Sequence, residues 1–229
     1  MSDNIPTHIG FIIDGNRRWA NERGLKPYEG HYAGYDTIKD VLIETHRRGV
    51  KYTSAYAFST ENWSRSEVEI NKLMELLLKV LTEDLHIFND NNIRLRVIGS
   101  RQKLSKKVIQ AIDNAEEKTV GNTGGQLLMC LNYGGQQEIA EACKKIVQQG
   151  YAPEDITPEL ITENIYAPEV PPCDIIVRTS GEQRLSGFML WRAEYSELIF
   201  IDKNWPDMTK QDVTVILKEY EKRNRRFGG

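Results

Sequence analysis

The chain has 229 residues, 40% of them hydrophobic and 28% charged, with 17 glycines and 8 prolines. That size and composition predict one ordinary globular domain and exclude a disordered, collagenous or disulfide-stapled chain. Thirty basic against 33 acidic residues leave a net charge of −3, which gives no reason to expect nucleic acid as a partner.

In chain order, residues 8–13 (HIGFII) read as a strand, 32–48 as a helix and 52–58 as a strand. One long helix is expected over 67–89, then a strand at 93–98, a helix at 105–119, a strand at 126–131 and a helix at 136–149. The stretch 151–172 carries five prolines around a short helical pattern from Pro158, and reads as an ordered excursion. Strands at 174–178 and 197–201 and a helix at 209–225 complete the chain. The alternation predicts an α/β fold: a single domain over 1–229, with a mostly parallel central sheet of about six strands and helices on both faces.

The longest apolar run, Leu127 to Leu131, is far short of the ~20 residues a spanning helix requires. The opening MSDNIPTH has neither the basic nor the apolar region of a secretory signal, so a cytoplasmic location is expected. Cys130, Cys143 and Cys173 form no CxxC pair and are expected to be reduced and buried. The four histidines have no zinc-ligand spacing.

Ligands of parallel sheets sit beyond the carboxyl ends of the strands, and three loops there are chemically dense. The first is Asp14-Gly15-Asn16-Arg17-Arg18-Trp19. Gly15 permits close backbone approach, the start of a helix favours an anion, and Asp14 would attract Mg²⁺ bound to phosphate. The same residues would also make a simple turn with Asp14 as a helix cap. The segment matches neither a Walker loop nor a GxGxxG fingerprint. The second loop is Ser59-Thr60-Glu61-Asn62-Trp63-Ser64-Arg65, in which Ser64 or Ser66 could cap the following helix. The third, Arg178 to Ser186, sets Arg178 and Arg184 around hydroxyls and a glycine, either as a diphosphate clamp or as surface charge.

Taken together, HIGFIIDGNRRWA, Gly30-His31, YAFSTENWSR, NYGG, RTSGEQRLSGFMLW, EYSEL and the terminal RRFGG resemble the cis-prenyltransferase family, most closely its bacterial undecaprenyl diphosphate synthase branch. The motifs run in the family's order over essentially the whole chain. The resemblance implies condensation of isopentenyl diphosphate onto an allylic diphosphate such as farnesyl diphosphate, forming cis double bonds. It also implies dependence on Mg²⁺, a homodimer, and a product used as a cell-wall lipid carrier. By the same resemblance, Asp14 and Glu197 serve the metal, and Gly15, Asn16, Arg17, Arg18 and His31 hold the allylic diphosphate. Asn62 matches the residue assigned to proton loss, and Trp19, Ser59, Thr60, Glu61, Trp63 and Arg65 match substrate contacts. Arg178, Arg184, Leu185 and Ser186 match the isopentenyl diphosphate site, and Arg226 and Gly228 match an RxG tail that crosses a dimer. The helix at 67–89 corresponds to a wall of the tunnel for the growing chain. A lipid product with no spanning segment implies at most peripheral membrane contact.

Two positions depart from the pattern. Pro27 stands where bacterial members often carry arginine, with Lys26 beside it, and Ser66 replaces a common proline. A non-catalytic partner subunit of the same fold would be expected to lack the first-loop aspartate and arginines, which this chain keeps. A phosphohydrolase would call for more clustered carboxylates or a histidine nucleophile.

Overall fold

A computed structural model describes residues 5–223. Six strands form one sheet in the order β3-β4-β2-β1-β5-β6. They are β1 (His8–Ile12), β2 (Tyr52–Ser59), β3 (Ile93–Ile98), β4 (Gly125–Tyr133), β5 (Ile175–Arg178) and β6 (Glu197–Phe200). Every pairing is parallel. The chain winds outward from β1 to the β3 edge, then crosses back to add β5 and β6 on the other side. β1 therefore lies at the reversal of strand order, where the carboxyl ends open a crevice.

Eight α-helices accompany the sheet among the described residues: α1 (Asn16–Glu22), α2 (Pro27–Arg47), α3 (Glu67–Leu81), α4 (Leu85–Asp90), α5 (Lys106–Thr119), α6 (Gly135–Gln148), α7 (Pro158–Asn164) and α8 (Lys210–Glu221). The period-two alternation of strand side chains divides the interior between two faces. Leu127, Met129 and Leu131 of β4 face a core shared with α2, α3, α5 and α8. Leu128, Cys130 and Tyr133 face a smaller core with Val170, Phe188 and Met189.

The expected helix over 67–89 is two helices. After Leu81 the chain turns at Thr82–Asp84, where the Thr82 hydroxyl donates to the Leu78 carbonyl at 2.7 Å and the Asp84 amide to that of Lys79 at 3.1 Å. Thr and Asp compete for backbone hydrogen bonds and so favour helix ends, which an apolar stripe continuing through Leu85 and Phe88 conceals. Pro27 occupies the first turn of α2, where a missing N–H costs nothing. Ser66 is the N-cap of α3, accepting from the Glu69 amide. Cys130 and Cys173 are buried, whereas Cys143 on α6 is only half-buried, so the expectation of three buried thiols is corrected there.

Candidate active site

The crevice beside β1 is built from the first and third loops. Gly15 sits at φ 100°, a left-handed conformation, and a Cβ there would stand 2.5 Å from the Asn204 side-chain oxygen. Asp14 does not cap α1. Its Oδ1 accepts from the Gly15 amide at 2.8 Å and its Oδ2 from Arg178 Nη2 at 2.7 Å. Arg178 is 4% exposed and also donates to Ser186 Oγ at 2.8 Å and to the Arg184 carbonyl. Arg18 ties the two loops together, donating to the Ser180 carbonyl and hydroxyl at 2.7 Å each.

Above these loops is an open polar cavity of about 510 Å³, measured to include its mouth, lined by Ile13, Asp14, Gly15, Asn16, Arg17, Arg18, His31, Arg65 and Ser180. Asp14 is the one carboxylate in this lining. Behind the wall, Glu69 of α3 is 8% exposed. Its Oε1 lies 2.9 Å from Arg65 Nη1, 3.2 Å from His31 Nε2 and 3.8 Å from Arg17 Nε. Burial pushes the Glu69 carboxyl up, but His31, Arg65 and Arg17 outweigh it and hold the pKa below the usual value. Burial lowers the pKa of His31 and so favours the neutral imidazole, against the opposing effect of the Glu69 carboxylate that its Nε2 meets.

The polar cavity continues into an apolar one of about 660 Å³, measured to its open mouth, between the sheet and helices α2 and α3. Leu73, Met74, Leu77 and Val80 of α3 face Ala57, Phe58, Met129 and Leu131 of the sheet. Ile13, Asn16 and His31 line both spaces and form the neck between them. The α3 stripe expected to wall a tunnel thus lines a channel.

Other candidate residues are placed less directly. Trp19 turns away from the cavity, its indole N–H donating to Asp207 at 2.7 Å with Arg23 stacked on the ring. Asn62 Oδ1 accepts from the Ser59 amide at 3.1 Å, closing the 3-10 turn over Thr60–Ser64. Glu61 accepts from the Thr60 hydroxyl at 3.0 Å. Trp63 packs on Phe58 and donates to Asn132 of the NYGG segment at 2.7 Å. Arg184 reaches into solvent, 59% exposed, and pairs with Glu182. Leu185 packs against the smaller core.

Glu197 begins β6 and pairs with Ile175, which in turn pairs with Ile9. Asp14 follows Ile9 by five residues, a rise of ~16 Å, so Glu197 belongs to the opposite end of the sheet. There it accepts from Arg223 at 2.7 Å. Within one chain the two carboxylates do not share an ion. Arg226 and Gly228 lie outside the described residues.

Two residues absent from the sequence-based site touch its members without lining the cavity. Tyr56 stacks on Phe188, its hydroxyl lying 3.2 Å from the Tyr133 carbonyl and 3.3 Å from that of Ser186. Glu69 is the other, and its spacing of four from Arg65 on a helix start was a signal available in the sequence.

A cation-lined mouth on an apolar channel suits a molecule with an anionic head and an apolar tail. Comparison with known proteins agrees. A family model described as "Putative undecaprenyl diphosphate synthase" matches residues 12–228. An isoprenyl transferase from Clostridium tetani is 44% identical, over 99% of this chain and 91% of its own. A decaprenyl diphosphate synthase from Mycobacterium leprae is 45% identical, over 98% of this chain and 77% of its own. Lavandulyl diphosphate synthase from Lavandula x intermedia, solved with dimethylallyl diphosphate, superposes with a TM-score of 0.95 at 30% identity over the full length of both chains. The chain belongs to the undecaprenyl diphosphate synthase family of cis-prenyltransferases, and its activity is prenyl transfer in isoprenoid biosynthesis.

Proposed function

We propose that the chain adds isopentenyl diphosphate to an allylic diphosphate, farnesyl diphosphate in the first instance, to give an undecaprenyl-length product for cell-wall lipid carrier synthesis. The observation that carries this reading is the shared neck: a tail can lie in the channel while its diphosphate stays among Arg17, His31 and Arg65.

Breaking the allylic carbon–oxygen bond moves an electron pair onto the leaving diphosphate. Fixed donors aimed at that charge lower the barrier, and Arg17, Arg65 and the Gly15-Asn16 backbone, which line the polar cavity, would supply them. The double bond of isopentenyl diphosphate then attacks the allylic carbon, and a proton leaves its second carbon. A carboxamide is a poor base, and the Asn62 oxygen already accepts from Ser59. Asn62 therefore shapes the turn, and the departing diphosphate oxygens take the proton. Arg178, Ser186 and Arg184 hold the isopentenyl diphosphate beside Asp14.

Asp14 suits Mg²⁺, which takes one or two carboxylates and fills its remaining positions with phosphate oxygens and water. Its side chain is 38% exposed into a cavity otherwise rich in cations. Among the described residues no three ligating side chains cluster, so the ion would arrive with substrate. When bound, Mg²⁺ would neutralise charge on the leaving diphosphate.

The working unit is a homodimer. Its support is the resemblance to a family whose RxG tail crosses a dimer, together with Arg223, which donates to Glu197 at the sheet end remote from Asp14. Sedimentation equilibrium should return the mass of two chains, and a monomer at micromolar concentration would refute the dimer. Contact with a membrane is peripheral: no helix among the described residues is long and apolar enough to cross one.

Incubating the protein with radiolabelled isopentenyl diphosphate, farnesyl diphosphate and Mg²⁺ tests the main reading. Label should pass into a butanol-soluble polyprenyl product, and the transfer should stop with EDTA. Label remaining in the aqueous phase, with active protein of the family run in parallel, would contradict it.

A further inference from the structure

We propose that Glu69 is a positioning residue whose carboxylate gathers Arg17, His31 and Arg65 into one wall for the allylic diphosphate. This rests on the reading of the polar cavity as a diphosphate site and assigns a role to a residue that does not line it.

The three donors come from separate elements: Arg17 from α1, His31 from α2 and Arg65 from the turn ahead of α3. Gathered on one wall, the two guanidinium groups would repel each other and the imidazole would lack a fixed orientation unless an anion held them. Glu69 Oε1 is that anion, within 3.8 Å of a nitrogen of each. Among the described residues no other carboxylate pairs with any of them. Arg65 Nη1 also lies within hydrogen-bond reach of His31 Nε2, at 3.4 Å, so two of the three groups around Glu69 touch each other as well.

The carboxylate stands behind the wall. The polar cavity is lined by its three partners, and the buried Glu69 side chain approaches them from α3. A diphosphate entering the cavity meets the donors from the opposite side. Guanidinium groups carry five donors each, so Arg17 and Arg65 can keep Glu69 and still bind phosphate. α3 also supplies the channel wall through Leu73 and Leu77, so the same helix sets the head and the tail of the substrate.

The Glu69→Gln variant keeps the size of the side chain and the backbone bond to Ser66, and removes the charge. Inorganic diphosphate with Mg²⁺, titrated calorimetrically, should bind it about tenfold more weakly than wild type, as expected for loss of charge-assisted bonds. The KM for farnesyl diphosphate should rise about as much, while that for isopentenyl diphosphate stays within about twofold. In an Arg65→Gln background the same change should add less than about twofold. Should Glu69→Gln not fold, Glu69→Asp, one methylene short of its partners, carries the same expectations. Unchanged or tighter diphosphate binding would overturn the proposal by showing that Glu69 only competes for the arginines. Equal rises in both KM values would overturn it too, as general damage. If wild-type protein bound no diphosphate, or bound it independently of Arg17 in an Arg17→Gln control, the reading of the cavity itself would fall.

Discussion

Asp14 and Arg178 act as a pair, and their substitution must be designed accordingly. Replacing Asp14 with Ala would leave a buried guanidinium without its anion, which costs several kcal/mol apart from any catalytic loss. Asp14→Asn keeps an oxygen for Arg178 and removes the charge. Its kcat should fall at least ~100-fold, about 2.7 kcal/mol of transition-state stabilisation, with a smaller drop in melting temperature than Asp14→Ala causes. Retention of more than about a tenth of kcat would show that Asp14 does not anchor the metal. The two arginines of the third loop should then separate. Arg184 is exposed and, among the described residues, pairs with Glu182 in its own loop, so Arg184→Ala should raise the KM for isopentenyl diphosphate about tenfold and leave kcat alone. Arg178→Ala should lower kcat as well, because it releases Asp14. Steady-state kinetics with each substrate varied in turn distinguishes the two patterns, and identical behaviour would contradict this division of roles.

At the scale of elements, the site depends on how closely α1 approaches α2. A Cβ at Gly30 would stand 2.0 Å from the Asn16 carbonyl oxygen, a clash with backbone that no rotamer relieves. Gly30→Ala should therefore push the two helices apart, costing ~1–3 kcal/mol of stability and lowering Tm by several degrees. Activity should fall further than stability, since Asn16 forms the neck of the channel. A fully active variant with wild-type Tm, by calorimetry and assay, would show the packing to be slack. The sequence made the Gly30-His31 pair visible as part of a motif but not this contact, which joins residues of two helices. The break at Thr82–Asp84 was hidden for a related reason. Periodicity reports which face is apolar, and that face continues through Leu85 and Phe88 after the axis has changed.

For the molecule as a whole, the number of strands, their parallel sense and the end of the sheet that holds the crevice were within reach of sequence because β-branched runs alternate with amphipathic ones, whereas the strand order was not. Nor was the charge network. Glu69 reads as an ordinary first-turn acid of α3, and only the tertiary fold brings Arg17 and His31 to it. Likewise Trp19 and Glu197 stand in motifs, yet the fold commits one to Asp207 and the other to Arg223. Buried histidines give the whole chain a pH dependence. His8, enclosed between the sheet and Pro171 and bonded to Ser54, has its pKa lowered to about 4 by burial, and His46 is lowered for the same reason. Between that value and the ordinary ~6.5 the unfolded chain binds the extra protons, so stability rises with pH through this window and is lost as pH falls. Urea unfolding at pH 7 and pH 4.5 should differ by about 2 kcal/mol or more, and His8→Gln should shrink that difference. An equal difference in the variant would remove His8 from the account.

The central claim is that the polar cavity and the apolar channel together hold one allylic substrate. The most direct test is a crystal structure of the wild-type protein with Mg²⁺ and a slowly reacting farnesyl thiodiphosphate. The thiodiphosphate should lie among Arg17, His31 and Arg65, with the hydrocarbon tail passing Asn16 to lie against Leu73, Met74 and Leu77. A thiodiphosphate bound away from those three side chains, or a tail lying outside the channel, would contradict it.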